Sequence, residues 1–367
     1  MSVDNEDFVC LEDFVKPAQK LLLNSRFEYY SDGCNEQFTL KENREAFKRY
    51  RLRPHLLRDV SKLDLSTTVL GQNISWPVGI SPTAFHRIAN YEGEKATARA
   101  AYAEGSVMIL SCVSTCTVED VAEASPHSIL WMQVMFFKRR EITESLVKRA
   151  EAAGFKAIVV TIDQPIIGKK YSSVRTRASV RFKLQAHEQP VNLKLNIKGG
   201  GDEIVADFDA SVTWEDIKWL KSLTKLPLVL KGITTGEQTR NAVEYGASGI
   251  LVSNHGGRQL DYLPATIDVL PEVVSAVEGS GVEVYLDGGV RHGTDVFKAL
   301  ARGARAVFIG RPILWGLTWK GYEGAKQVLS ILKEEVASTM ALMGCTNVSE
   351  IVPSMVVHED YFKKSKL

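Results

Sequence analysis

The stretch Ser253-Asn254-His255-Gly256-Gly257-Arg258-Gln259-Leu260-Asp261 sets an imidazole and a guanidinium three residues apart. Histidine exchanges a proton near neutral pH, and arginine clamps a carboxylate through two parallel hydrogen bonds. Together they suit removal of a proton beside a carboxylate. Farther along, Asp287-Gly288-Gly289-Val290-Arg291 and Gly310-Arg311-Pro312 each combine glycine with a nearby arginine. Glycine lets backbone N–H groups approach a phosphate, and the arginine supplies the opposing charge. Many phosphate-bearing ligands satisfy that pattern. Lys231 adds an ammonium suited to neutralising a developing anion on a cofactor ring. The remaining histidines (His55, His86, His127, His187, His292 and His358) lack comparable neighbours in the sequence and read as structural.

These groups need elements to hold them. From residue 77 onward, short apolar runs alternate with amphipathic segments. The runs are 77–82, 108–112, 130–134, 157–163, 226–232, 249–254, 283–289 and 306–312. Runs of this length, aliphatic on both faces, match the needs of buried parallel strands. Helical patterning appears between them, as in 92–104, 141–153, 236–245 and 293–302. Eight strand–helix units predict an α/β fold, a (β/α)8 TIM barrel, as a single domain over residues 1–367. Each run ends in polar residues: Thr83, Ser111, Gln133, Thr161 with Asp163, Lys231, Ser253 to His255, Asp287 to Gly289, and Gly310-Arg311. The carboxyl ends of the strands are where such barrels carry their chemistry. Residues 1–76 form an N-terminal extension with a helix predicted over 12–22, and 324–343 reads as a final amphipathic helix. The fourth and fifth strands are separated by a long insert, about 165–225, with a Lys- and Gly-rich part at 194–202 and a helix over 212–223. A loop of that length predicts a lid or binding loop, centred on about 185–207.

Composition narrows the classes of function. Lys+Arg total 45 against 44 Asp+Glu, and a net charge of +1 offers no field for nucleic acid or an anionic membrane. No apolar run reaches the roughly 18 residues of a membrane span, and the acidic N-terminus lacks the layout of a secretory signal. The cysteines, Cys10, Cys34, Cys112, Cys116 and Cys345, are odd in number and scattered, which predicts free thiols in a reducing compartment. Cys112 and Cys116 lack companions for a zinc site, so no metal is expected and both read as small buried residues. There is no Gly-x-Gly-x-x-Gly, which disfavours a nicotinamide cofactor. The chain ends in Ser365-Lys366-Leu367, the tripeptide read by the peroxisomal import receptor. An enzyme producing hydrogen peroxide suits that compartment.

The motifs SNHGGRQLD, LDGGVR and GRPILWG, with the Thr161-Ile162-Asp163 and Pro165 pattern, resemble those of the FMN-dependent 2-hydroxy acid oxidases. That family includes glycolate oxidase and the peroxisomal hydroxyacid oxidases, and the likeness runs from about Phe8 to His358. It implies a barrel with FMN at its carboxyl end, commonly a homotetramer, that oxidises an (S)-2-hydroxy acid and reduces O2 to hydrogen peroxide. Matching motifs imply backbone contacts to FMN from Pro82, Thr83 and Ala84, and ring contacts from Ser111, Gln133 and Thr161. Lys231 and Ser253 would lie at the polar edge of the flavin. Asp287, Gly289, Arg291, Gly310 and Arg311 would hold the ribityl chain and phosphate. By the same resemblance His255 is the catalytic base, Asp163 supports its imidazolium, and Arg258 and Tyr29 bind the substrate carboxylate.

On the substrate side the chain departs from that family's pattern. Gln133-Val134-Met135 replaces Gln-x-Tyr, removing a hydroxyl near the reacting oxygen. Gly168-Lys169-Lys170 replaces Gly-x-Arg, exchanging a fork for a point charge. Val113 stands where short-chain members carry a bulky aromatic. The expectation is therefore a medium- or long-chain or aromatic hydroxy acid. A different substrate class on the same scaffold, or an FMN-binding barrel with little turnover, are the other readings these departures leave open.

Overall fold

The computed structural model describes residues 7–175, 184–193 and 207–364. Eight parallel strands close into a barrel: β1 (Val78–Ile80), β2 (Val107–Leu110), β3 (Ile129–Val134), β4 (Ala157–Thr161), β5 (Leu228–Ile233), β6 (Gly249–Val252), β7 (Glu283–Asp287) and β8 (Ala306–Ile309). They follow one another in chain order, and Val307 opposite Val78 joins β8 back to β1. A helix follows each strand: α4 (Glu94–Ala103), α5 (Val118–Ala124), α6 (Arg140–Ala152), α7 (Trp214–Ser222), α8 (Gly236–Glu244), α9 (Thr266–Ala276), α10 (Gly293–Ala301) and α11 (Arg311–Met343). This is the (β/α)8 barrel expected from the sequence. Six of the strands stop short of their apolar runs, whose last residues stand at the barrel mouth, whereas β3 and β5 reach or pass the ends of theirs.

Alternation along each strand builds two cores. In β2, Val107 and Ile109 join Trp131, Tyr285 and Phe308 in the barrel interior, while Met108 and Leu110 pack outward in the larger cluster with the helices. The three interior aromatic rings lie 5.5–5.7 Å apart, centroid to centroid. A hairpin of Thr67–Val69 and Gln72–Ile74 adds Val69 and Ile74 to the interior cluster. Fitting three large rings into one barrel demands small residues opposite them. Gly79 of β1 is one: a Cβ there would lie 2.5 Å from the Phe308 ring.

The N-terminal extension is more helical than its sequence pattern predicts. A 3-10 turn at Leu11–Phe14 leads into α1 (Val15–Leu21), close to the expected 12–22 helix, and then come α2 (Asn24–Ser31) and α3 (Phe38–Lys48). Tyr50–Leu52 pairs antiparallel with Val356–His358, tying this extension to the C-terminal part of the chain. Two helical stretches meet end to end in Arg311–Met343, with Pro312 in the first turn and a kink at Lys320 and Gly321, and the second stretch matches the helix expected over 324–343. The expected lid region is described only in part. Residues 194–202 and the terminal Ser365-Lys366-Leu367 lie outside the described residues. Among the described residues no helix is long and apolar enough to cross a membrane.

Replacing Gly79 with alanine should overpack the barrel interior and destabilise the protein by about 1–3 kcal/mol. Denaturant unfolding of wild type and variant, both saturated with cofactor, checks this.

Candidate active site

The carboxyl ends of the strands surround a cavity of about 540 Å³. Pro82, Thr83 and Ala84 after β1 and Ser111 and Val113 after β2 line it, as do Gln133 and Met135 at the end of β3. Thr161, Lys231, His255 and Arg258 follow on β4, β5 and the β6 loop, and Asp287, Gly289, Arg291, Gly310 and Arg311 complete the circle. Tyr29 of α2 and Lys170 of the insert close one side. Two residues singled out in the sequence are set back from the wall. Asp163 stands behind His255, and Ser253 is fully buried, its hydroxyl accepting from the His255 backbone N–H at 3.1 Å.

His255 Nδ1 lies 2.9 Å from Asp163 Oδ1. An ionised carboxylate only accepts hydrogen bonds, so Nδ1 carries the proton and Nε2 is the basic nitrogen. Burial and the Lys231 ammonium push the imidazole below its usual range, and Asp163 pulls the other way. Burial alone would raise Asp163, but His255, Lys231 and the hydrogen bond hold its carboxyl below the usual value. The result is a neutral imidazole backed by a carboxylate. The loop that presents it is unusual, with His255, Gly256 and Gly257 all in the left-handed region at φ of 57°, 63° and 73°. A left-handed conformation is costly for histidine and persists only where surroundings hold it. Here Asn254 and Asn43 of α3 exchange reciprocal amide hydrogen bonds at 2.7 and 2.8 Å, and Asn254 Oδ1 also accepts from Gly257 N.

The arginines depend on α2. Its C-terminal turn exposes carbonyls with the negative end of the helix dipole. Arg258 Nη1 donates to Tyr30 O and Asp32 O, and Arg311 donates to the same two carbonyls and to Gly256 O. The Arg258 guanidinium sits 5.3 Å from the centre of the Tyr29 ring, and the Lys170 ammonium 5.8 Å from it. Arg291 donates to Glu12 and to Val290 O. The segment after α2 is laced between catalytic loops: Cys34 N donates to Gly257 O, and Asn35 N to Lys169 O. Sequence reasoning missed this support, because α2 and α3 carry weak apolar patterns. It also missed the apolar lining residues Ile167, Val174 and Phe208.

With this geometry in view, comparison with known proteins is decisive. Residues 18–358 match the family described as FMN-dependent dehydrogenase. The chain belongs to that family. It is 48% identical to 2-hydroxyacid oxidase 1 of Homo sapiens, over 95% of this chain and 96% of the human protein. It is 47% identical to a peroxisomal (S)-2-hydroxyacid oxidase of Arabidopsis thaliana, over 99% and 100% of the two chains. Among solved structures, an (S)-mandelate dehydrogenase variant superposes with a TM-score of 0.89 at 33% identity, over 96% of this chain and 100% of that one. A mandelate oxidase variant with (S)-mandelic acid gives 0.86 at 36% identity, over 94% and 97%.

FMN is accordingly the cofactor of this family member, and the cavity fits an anionic, hydroxyl-rich ligand. Burial together with Arg258 and Arg291 pushes the Arg311 guanidinium well below its usual range, the mark of crowded cations that an anion would relieve. Among the described residues, Asp287 Oδ1 is a buried acceptor without a partner, placed for a hydroxyl donor. Gly288 and Gly289 turn with φ of 96° and 86° beside it.

The two charges flanking His255 give opposite, checkable shifts. In the protein before substrate is added, His255 should titrate below the ordinary histidine value of about 6.5. Asp163→Asn should lower it further by removing the favourable negative charge, and Lys231→Met should raise it. NMR titration of the histidine ring resonances reads all three.

Proposed function

We propose that the chain oxidises an (S)-2-hydroxy acid, larger and more apolar than glycolate, to the 2-oxo acid, with O2 reduced to hydrogen peroxide. The observation that carries this reading is a neutral His255, backed by Asp163, lining the same cavity as Arg258. That pair meets the needs of a substrate with a hydroxyl beside a carboxylate. Arg258 and Tyr29 bind the carboxylate, with Lys170 adding charge. His255 Nε2 takes a proton from the substrate as the C2 hydrogen departs, and Asp163 stabilises the imidazolium that results. When bound, FMN supplies the two-electron acceptor that O2 later reoxidises.

Around that cofactor, Pro82, Thr83 and Ala84 contribute backbone, Ser111, Gln133 and Thr161 face the ring, and Lys231 meets its polar edge, with Ser253 supporting the His255 turn behind it. Asp287 and Gly289 hold the ribityl chain, and Arg291, Gly310 and Arg311 the phosphate. The crowding of cations at Arg311 supports this assignment.

The preference for a larger substrate rests on the apolar part of the cavity lining. Val113, Met135, Ile167, Val174 and Phe208 contribute to it, with Met135 where the family pattern carries a tyrosine. The likeness to mandelate oxidase and to (S)-mandelate dehydrogenase supports an aromatic or medium-chain side chain. Residues 1–367 act as a single FMN-binding unit, in which α2 and α3 of the N-terminal extension support the barrel mouth. A relative named peroxisomal, together with Ser365-Lys366-Leu367, supports delivery to peroxisomes by the import receptor, and the family resemblance supports a homotetramer.

The test is anaerobic bleaching of the flavin by 2-hydroxy acids from glycolate to long-chain and aromatic members, followed by peroxide release on admitting O2. Bleaching should be fastest with a bulky acid; a flavin that stays oxidised across the panel would overturn the reading and point to another substrate class. His255→Ala should retain FMN yet lose bleaching by at least about a hundredfold, the scale of a lost general base. Met135→Tyr combined with Lys170→Arg should raise bleaching by glycolate about a hundredfold, the scale of one regained hydrogen bond to developing charge.

A further inference from the structure

Behind the β1 and β2 loops lies a polar network with no counterpart in the reaction just described. His86, 1% exposed, bridges two hydroxyls: its Nε2 lies 2.6 Å from Thr83 Oγ1, and its Nδ1 lies 2.9 Å from Thr97 Oγ1. Thr83 lines the cavity, whereas Thr97 is fully buried one turn into α4. Glu94, the first residue of α4, is also fully buried. Its carboxylate accepts four hydrogen bonds, from His86 N, Thr115 N, Thr115 Oγ1 and Cys116 N. One carboxylate therefore ties together the loops that follow β1 and β2, both of which face the cofactor cavity.

Burial pushes His86 below the usual imidazole range, with the charge of Glu94 opposing, so the ring is neutral. Burial alone would raise Glu94, but the hydrogen bonds donated to it hold it low, so the carboxylate is ionised. A neutral imidazole has one N–H and one acceptor nitrogen. Both of its partners are hydroxyls, which accept either arrangement. If Nε2 carries the proton, it donates to Thr83 and leaves the Thr83 O–H to point elsewhere, toward the cavity. If Nδ1 carries it, Thr83 must donate to Nε2 and presents only lone pairs to the cavity. The tautomer of a ring outside the cavity thus decides whether the hydroxyl of Thr83, a residue of the cavity lining, keeps a free donor or only lone pairs.

We propose that His86, fixed by Glu94 and Thr97, is a positioning residue that orients the Thr83 hydroxyl and so tunes the electron affinity of the bound FMN. Reduction of a flavin changes which of its edge atoms donate and which accept. A hydroxyl whose direction follows a neighbouring ring favours one redox form over the other, or serves both by switching. The sign of the effect depends on the resident tautomer; its transmission through Thr83 does not.

The experiment compares holoenzymes carrying His86→Gln, Thr83→Val, and both. The readouts are the flavin midpoint potential, its visible absorption spectrum and the affinity for FMN. His86→Gln is expected to change the ratio of affinities for oxidised and reduced FMN about tenfold, a shift of about 30 mV for a two-electron couple. In the Thr83→Val background the same substitution is expected to add nothing further. An unchanged potential and spectrum, with only thermal stability lowered, would overturn the proposal, as would an equal shift in both backgrounds. Should His86→Gln not accumulate as a folded flavoprotein, Thr97→Val removes the Nδ1 partner alone and is held to the same criteria.

Discussion

The hydrogen bond from His255 Nδ1 to Asp163 Oδ1 depends on a gap in the barrel rim. Asp163 follows β4 and His255 follows β6, so the bond spans the end of β5 between them. At that end stands Gly232, with φ of 112°, where a Cβ would lie 2.7 Å from the Asp163 Cβ. The absence of one side chain therefore lets a carboxylate reach an imidazole two strands away. Lys231, one residue earlier on β5, places its ammonium near both groups. Parallel strands in fixed register carry all three to one rim, with Thr161 opposite Lys231. The tautomer, the lowered imidazole pKa and the support for an imidazolium all follow from that arrangement.

Charge is the second organising feature. Lys231, Arg258, Arg291 and Arg311 converge on a cavity whose wall, among the described residues, includes one carboxylate, that of Asp287. Part of the cost of burying those cations is met by carbonyls at the end of α2 and by Glu12, which Arg291 contacts at 3.0 Å. An anionic cofactor completes the balance. Because a ligand that binds only the folded state stabilises it, FMN and the N-terminal extension reinforce one another. The extension is thus part of the site, since α2 carries Tyr29 and anchors two arginines while α3 holds Asn254.

The barrel and its rim were legible in the sequence because parallel strands buried on both faces leave continuous apolar runs, and the barrel rule assigns chemistry to their ends. Eighteen of the residues singled out there line one cavity, and Asp163 stands directly behind it. Features made by distant segments were harder to read. Nothing local joins Asn43 to Asn254, or Arg258 and Arg311 to the carbonyls of α2. His86 read as structural because its bonds to Glu94 and Thr97 form only once α4 has folded beside it. The start of α11 was hidden in the last apolar run, whose Gly310-Arg311-Pro312 is at once a strand end and a helix start. Substrate-side differences at Val113, Met135 and Lys170 were visible by comparison with a family pattern, since no periodicity marks them.

The most direct test of the central arrangement is Gly232→Ala. The added methyl must displace Asp163, leaving FMN contacts in place while uncoupling the carboxylate from His255. The measurement is the anaerobic rate of flavin reduction by the fastest-reacting 2-hydroxy acid, taken with FMN stoichiometry on the same sample. The account predicts full FMN occupancy and a rate lowered by about 10²–10⁴, the range seen when a general base or its orienting carboxylate is lost. Reduction at the wild-type rate would contradict it, because the Asp163–His255 bond would then be dispensable.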